Sequence, residues 1–446
     1  VPLRRLTSAV NNPAQLVVMA FAAAIGLGTL LLWLPWSFED DARVGLIDAV
    51  FLATSSVTVT GLSTVDLAAL SLVGELIVLS LIQIGGFGIM TVGSLLALLA
   101  VRRFGLRQRI LAQAEIGAVH PGEMRALVGS IARITLAVEG VLAVVLAVRL
   151  WLTYDVEPVA ALYEGAFHAV SAFNNAGISL YGDSLSRFLD DPVIILAVSC
   201  AFILGGLGFP VIVQLRRTLR PSHWTLHTRI TMIGTAALVV LGPVMVAAFE
   251  WGNARTLGGA SWSERLLGAW FQGVTPRTAG FNVVDVGALE EPTLLGTSML
   301  MFIGGGPAST AGGIKVTTFA LLAFVLWSEV RGDTDVNVLH RRLPAAAIRQ
   351  AVTVVILAIG SVVAATLVLL ASTDLMLTPA LFEAVSAFAT VGLSTGITGE
   401  LPMVAKFALI LLMIAGRVGP TTLVTALAYR QRLQRFHYPE ERPLIG

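Results

Sequence analysis

The chain has 446 residues, of which 56% are hydrophobic and only 13% charged, and its net charge is +1. Soluble domains carry about a quarter charged residues, so this composition excludes an ordinary soluble enzyme, and so apolar a chain cannot stay disordered in water. The lone cysteine, Cys200, excludes a disulfide framework and any cysteine-rich metal site.

Taken in chain order, the first apolar run, 14–34, reaches the roughly 20 residues that a spanning helix needs. It lacks a small-residue cleavage site, so it reads as a span and not as a cleaved signal. A shorter run, 46–57, follows and ends in Thr58-Val59-Thr60-Gly61-Leu62; the run 67–101 comes next. The same order returns as 127–152, then 160–173 ending in Asn174-Asn175-Ala176-Gly177-Ile178, then 192–215. It returns again as 230–249, then 264–275 leading to Arg277-Thr278-Ala279-Gly280-Phe281, then 293–327. The last instance is 351–371, then 379–389 leading into Thr390-Val391-Gly392-Leu393, then 403–429. Runs of 10–14 apolar residues are re-entrant more readily than spanning. The predicted fold is therefore an all-α polytopic membrane protein of four span–re-entrant loop–span repeats, 1–101, 102–218, 219–330 and 331–446, with eight transmembrane helices around a central pore. The runs 67–101 and 293–327 exceed a straight span, which predicts tilt or a break.

Charge sets the predicted orientation. The segments 1–13, 101–126, 216–229, 328–349 and 430–446 hold 19 Lys/Arg, against 6 in the intervening segments 35–66, 153–192, 250–292 and 373–406. The Lys/Arg excess marks the cytoplasmic side, so both termini are expected to be cytoplasmic.

Irregular backbone at membrane depth must line water or be buried in protein. Four glycine turns from one chain can do both by meeting on one axis. Glycine permits torsions that aim carbonyls at that axis, and a carbonyl ring can replace the hydration shell of a cation. The C-terminal ends of the short helices add partial negative charge at the same place. The ion-binding residues predicted on this basis, mainly through backbone, are Val59, Thr60, Gly61, Leu62, Asn175, Ala176, Gly177, Ile178, Thr278, Ala279, Gly280, Phe281, Thr390, Val391, Gly392 and Leu393. Glycines that only cap or pack helices are the plainer alternative.

Two features predict a gate. The stretch Gly304-Gly305-Gly306-Pro307-Ala308-Ser309-Thr310-Ala311-Gly312-Gly313-Ile314-Lys315 cannot be a regular helix interior, because it holds five glycines and a proline. It lacks the spacing of a phosphate-binding loop. Arg417, in Ala415-Gly416-Arg417-Val418-Gly419-Pro420, is an intramembrane charge that must face water or partners. A passive hinge and a carbonyl-capping arginine stand as alternatives, and Lys315 reads as snorkelling. Gly85-Gly86-Phe87-Gly88 and Gly205-Gly206-Leu207-Gly208 read first as packing surfaces. Glu75, Glu139, Arg133 and Arg149 are expected to be paired or interfacial, and His168, His223 and His227 do not form a metal site.

The glycine stretches, the Asn-Asn-Ala-Gly of the second repeat and Thr275-Pro276-Arg277-Thr278-Ala279-Gly280-Phe281 resemble the superfamily of K⁺ transporters that includes TrkH, KtrB and the plant HKT proteins, over essentially the whole chain. Thr390-Val391-Gly392 is similar to a potassium-channel filter. Bacterial KtrB fits best, since the first span begins almost at once whereas TrkH-like members carry extra N-terminal helices. The resemblance implies no enzymatic activity but a pore-forming K⁺ uptake subunit, with the 304–315 stretch as an intramembrane gating loop and Arg417 beside it. It implies K⁺ as the transported ion and the only bound metal, Na⁺ as a candidate activator, a homodimer of pores, and a cytoplasmic KtrA-like nucleotide-binding ring as partner. No nucleotide site is expected in this chain and no nucleic acid as partner. Gly61 stands where sodium-selective HKT relatives place Ser, which favours K⁺; Val59 departs from the Thr found at 278 and 390. The basic segments 102–109 and 216–229 are candidate docking surfaces. A coupled symporter of the TrkH type, or another secondary transporter, is the competing expectation.

Overall fold

The computed structural model describes residues 13–39, 44–102, 121–333, 335–339 and 341–419. Among the described residues it has 14 α-helices. In chain order these are α1 (Pro13–Leu32), α2 (Leu46–Thr58), α3 (Leu72–Arg102), α4 (Pro121–Tyr154), α5 (Pro158–Phe173), α6 (Pro192–Leu207), α7 (Phe209–Arg217), α8 (Leu226–Glu250), α9 (Trp262–Val274), α10 (Glu291–Phe302), α11 (Val316–Arg331), α12 (Ala345–Ser372), α13 (Leu377–Ala389) and α14 (Met403–Val418). A two-stranded hairpin pairs Asn337–Val338 with Arg341–Arg342.

One order of elements recurs four times: a first helix (α1, α4, α8, α12), a short helix (α2, α5, α9, α13), a glycine turn, and a third helix (α3, α6, α10, α14). The short helices have 13 to 16 residues. At about 1.5 Å per residue they reach roughly 20–24 Å, short of the ~30 Å hydrocarbon core. Their starts are set locally. Ser261 and Glu264 form a capping box on α9, Pro158 opens α5, and Asp48 lies in the first turn of α2, where a carboxylate complements the helix dipole. The aromatics Phe51, Phe167 and Phe382 are fully buried, and Trp270 donates to Ser199 Oγ at 3.2 Å.

Among the described residues, four helices are long and apolar enough to cross a membrane: Leu72–Thr91, Val128–Tyr154, Leu226–Glu250 and Ala345–Ser372. They become five if α6 and α7 count as one broken span. The sequence predicts eight. The difference has three sources: only Val18–Leu32 of α1 counts, as a shorter apolar helix, the 293–327 run is split into α10 and α11, and most of the 403–429 run beyond Val418 lies outside the described residues. Leu136, Val141, Val240, Ile356 and Leu367 are large apolar side chains left exposed on these long helices, as expected of surfaces that face lipid. Glu75, Glu139 and Arg149 are paired as their placement predicts: Glu75 with Tyr163, Glu139 with Gln83 and Asn174, Arg149 with Asp191.

The third helices hold two surprises. α3 runs without interruption through Gly85–Gly88, although the 67–101 run is overlong. The break comes instead between α6 and α7, where Gly208 takes φ 92° and the chain bends by 100°. The Gly205–Gly208 stretch is thus more than a packing surface: its first glycine packs and its last one turns the chain, with Pro210 two residues on.

Candidate ion pathway

Each short helix ends in a turn of one backbone pattern. Val59, Asn175, Thr278 and Thr390 are left-handed, with φ between 49° and 66°. Two residues later Gly61, Gly177, Gly280 and Gly392 are again at positive φ, from 65° to 97°. For an L-residue the left-handed conformation costs about 1–2 kcal/mol. Three of the four first positions are β-branched, so the surrounding structure must hold this strain in place.

The short helices take up the N–H groups of these turns. Thr60 N donates to Ser55 O at 2.8 Å, Ala176 N to Ser171 O at 2.8 Å, Ala279 N to Thr275 O at 3.0 Å, and Val391 N to Ser386 O at 2.9 Å. Hydroxyls reinforce this. Ser55 Oγ accepts from Gly61 N and Ser386 Oγ from Gly392 N, at 3.0 and 3.1 Å. Ser171 Oγ donates to Ile178 O and Thr275 Oγ1 to Phe281 O, both at 2.6 Å. The carbonyls of Thr60, Ala176, Ala279 and Val391 accept no hydrogen bond among the described residues, although all four residues are buried. Buried carbonyls are normally paired. Four unpaired ones in equivalent turns leave acceptors for something other than protein.

The turns form a closed ring. A Cβ on Gly61 would overlap Ala176 O; on Gly177, Ala279 O; on Gly280, Val391 O; and on Gly392, Thr60 O. The sequence of contacts runs from the first unit to the second, third, fourth and back to the first. Behind the ring, Gly85, Gly205 and Gly416 of the third helices admit the carbonyls of Val57, Phe173 and Phe388, each four residues before a ring glycine. Lys406 of α14 and Asp48 of α2 close the circle between the fourth and first units with an ion pair of 2.7 Å. Arg277 points away from the ring and donates to Thr235 O and Oγ1.

Residues 303–315 lie against one side of this ring. Ile303 and Ile314 bridge the two ends of the segment in parallel. Its backbone is satisfied by the second unit: Gly306 N donates to Gly206 O at 2.7 Å, Thr310 N to Gly205 O at 3.2 Å, and Phe209 N to Ala308 O at 3.1 Å. The fourth unit closes on it from the other side, where a Cβ on Gly312 would overlap Thr390 Oγ1. Arg417 donates to Thr310 O and reaches Gly85 O at 3.4 Å. Lys315 Nζ donates to the neighbouring Ala311 O at 2.5 Å. Lys315 is therefore turned back onto the segment and does not snorkel. Among the described residues neither cation has a carboxylate partner.

The structure also gathers residues that the sequence did not single out as a group. Asn174 Nδ2 donates to Gln83 Oε1 and Glu139 Oε1, both at 2.9 Å, and Gln83 Nε2 donates to Glu139 Oε2 at 3.1 Å. This buried knot ties α3 and α4 to the second turn. Glu139 carried a signal in the sequence as an ionisable residue inside a span and Asn174 as part of the second glycine stretch, whereas Gln83 carried none. On the other side of the ring Tyr181 stacks on His168, with centroids 4.8 Å apart, and donates to Glu164 Oε2 at 2.5 Å. Burial, and then the bond to Glu164, push the Tyr181 phenol well above its ordinary pKa. Among the described residues no group of three His, Cys, Asp or Glu could hold a metal. Of the candidate docking surfaces, 216–229 presents exposed Arg216, Arg217 and Arg220, and nearly all of 102–109 lies outside the described residues.

Known proteins resemble the chain along nearly its whole length. The sequence model of the family described as TrkH, cation transport protein, matches residues 3–433. The chain is 35% identical to the Ktr system potassium uptake protein B of Bacillus subtilis, over 98% of this chain and 97% of that one. It is 34% identical to the protein of the same name from Vibrio alginolyticus, over 100% and 98%. It is 33% identical to the potassium/sodium uptake protein NtpJ of Enterococcus hirae, over 98% and 97%. The crystal structure of the potassium transporter TrkH from Vibrio parahaemolyticus superposes with a TM-score of 0.72 at 21% identity, covering 93% of this chain and 84% of that one. By its sequence match and by its fold, the chain belongs to the TrkH family of cation transport proteins.

Proposed function

We propose that the chain is the pore-forming membrane subunit of a bacterial Ktr-type potassium uptake system. The observation that carries this is the closed ring of four turns, with its unpaired carbonyls at Thr60, Ala176, Ala279 and Val391. Such oxygens replace the water shell of a bare cation, and the short helices direct their negative ends at them. The names of the relatives, potassium uptake protein B and potassium/sodium uptake protein, supply the ion. K⁺ is the transported ion, and Na⁺ a competitor or activator. Eight spans with both termini cytoplasmic give the topology, and the four repeats keep the boundaries 1–101, 102–218, 219–330 and 331–446. An inside-negative potential drives entry with about 2.3 kcal/mol per charge per 100 mV.

Residues 304–315 act as the gate. They are buried against the second and fourth units, and Arg417 and Lys315 place positive charge on the adjacent carbonyls of Thr310 and Ala311. A closed segment thereby blocks the passage both sterically and electrostatically. Two pores form a dimer in the bilayer and a nucleotide-binding ring on the cytoplasmic side controls them; the word "system" in the relatives' names fits a multi-component assembly.

Rb⁺ uptake into proteoliposomes, with Na⁺ as competitor, tests the reading. Uptake driven by an inside-negative potential is expected, with K⁺ competing more strongly than Na⁺. Gly61→Ser and Gly280→Ser are expected to weaken that preference, because a side chain at either position collides with the next carbonyl. Unchanged preference in both variants would refute the ring as the selective element. Uptake that requires a co-transported ion gradient would favour the alternative, a coupled symporter.

A further inference from the structure

The ring has four glycines, but the groups bracing it differ by unit. Nine residues before each ring glycine stand Leu52, His168, Phe271 and Glu383. All four are buried in the short helices. The first and third units thus place hydrocarbon behind the ring, and the second and fourth place an ionisable group.

Both ionisable groups bind a hydroxyl of the chain that leaves the ring. Glu383 Oε1 accepts from Thr398 Oγ1, which lies 2.9 Å from Ser394 Oγ, two residues after Gly392. His168 Nδ1 lies 2.8 Å from Glu164 O. A carbonyl only accepts, so Nδ1 carries the proton, and in the neutral ring Nε2 is left to accept from Ser179 Oγ at 3.0 Å. Ser179 is two residues after Gly177. The two opposite units thus use the same position in the short helix to hold the same region of the departing chain.

The carboxyl has no packing reason to be there. Glu383 is fully buried, and its Oε2 has no partner among the described residues. Leu52 fills the equivalent place in the first unit without any such cost. A buried polar atom left unpaired is destabilising, and groups kept in spite of that cost mark functional positions.

We propose that Glu383 and His168 are positioning residues for ion selection. Each anchors the chain leaving its ring glycine through one hydrogen bond, so that at the position nine residues before the ring glycine one diagonal carries a polar contact and the other hydrocarbon. The proposal rests on the ring being the selective element. Glu383 acts as a hydrogen-bond acceptor, so an amide can replace it and a hydrocarbon cannot.

The test is K⁺/Na⁺ preference in Rb⁺ uptake by proteoliposomes, with thermal stability measured on the same preparations. Glu383→Leu is expected to lower the preference by roughly ten-fold, the scale of one lost buried hydrogen bond to a carboxyl group, and Glu383→Gln to retain it. Thr398→Val removes the other partner and is expected to reproduce the Leu phenotype; it decides the matter should Glu383→Leu fail to fold. His168→Leu against His168→Gln repeats the comparison in the second unit. Unaltered preference in folded Glu383→Leu or Thr398→Val overturns the proposal. An equal loss in Glu383→Gln also overturns it, by showing that charge and not the hydrogen bond matters. Gly392→Ser is the control: if it too leaves preference unchanged, the ring itself is not selective, whereas a change there alone rejects only the positioning role.

Discussion

The side chain of Asn175 joins the glycine ring to the segment beneath it through Thr310. Asn175 Oδ1 accepts from Thr310 Oγ1 at 2.8 Å, while its Nδ2 donates to Arg277 O and Thr278 Oγ1 at 3.4 and 3.3 Å. One side chain therefore touches the second turn, the third turn and the 303–315 segment. Thr310→Val deletes the hydroxyl and keeps the shape. A buried hydrogen bond contributes about 1 kcal/mol, so the open population is expected to rise about five-fold, read as faster Rb⁺ uptake with K⁺/Na⁺ preference intact. Slower uptake in the folded variant would show that this bond does not hold the segment closed.

Arg417→Ala removes the donors to Thr310 O and Gly85 O as well as a positive charge. Both losses favour opening, and uptake is expected to rise. Deleting residues 305–310 is expected to act in the same direction, and the combined variant to exceed neither single one by much, because both disable one device. If the segment is a passive hinge, its deletion misplaces α11 and uptake falls in all the deleted forms.

Gly208 is held at φ 92° with Pro307 O against it. Gly208→Ala meets both the left-handed strain and that carbonyl. A loss of about 2–3 kcal/mol is expected from the two together, measured as a lower midpoint of thermal unfolding. Gly140→Ala, in the interior of α4 with open space around it, is the comparison and is expected to be neutral or stabilising.

Lys406 and Asp48 lie 358 residues apart and are 11% and 20% exposed. Breaking a fully buried pair costs about 3–5 kcal/mol; this partial exposure reduces the expected loss to roughly 1–3 kcal/mol for Lys406→Met or Asp48→Asn. Thermal unfolding in detergent measures it. Recovery in the swapped double variant, Asp48→Lys with Lys406→Asp, would assign the loss to the pair and not to either site alone.

The four short helices were legible in the sequence because their signals are local. An apolar run too short to span and the glycine stretch that ends it fix element type and place, and each helix lies within two residues of its predicted bounds. The interrupted 304–315 run was legible for the same reason, since five glycines and a proline forbid a helix whatever surrounds them. Membership of a cation-transport family followed from those motifs.

Tertiary structure alone decided who meets whom. Both third helices carry a glycine cluster, yet α3 continues through Gly88, which has open space around it, and the chain turns at Gly208, where Pro307 O lies against the glycine and Pro210 follows. Lys315 looked free to reach the cytoplasm, and the nearest acceptor in the fold is Ala311 O. The closed ring and the Asn175–Thr310 bond join residues of different units and form only once the units pack, and the hydroxyl clamps at His168 and Glu383 form only once each unit folds back on its own short helix. Hydrophobic period and backbone propensity are properties of neighbours in the chain, whereas a carbonyl left unpaired is a property of everything that surrounds it.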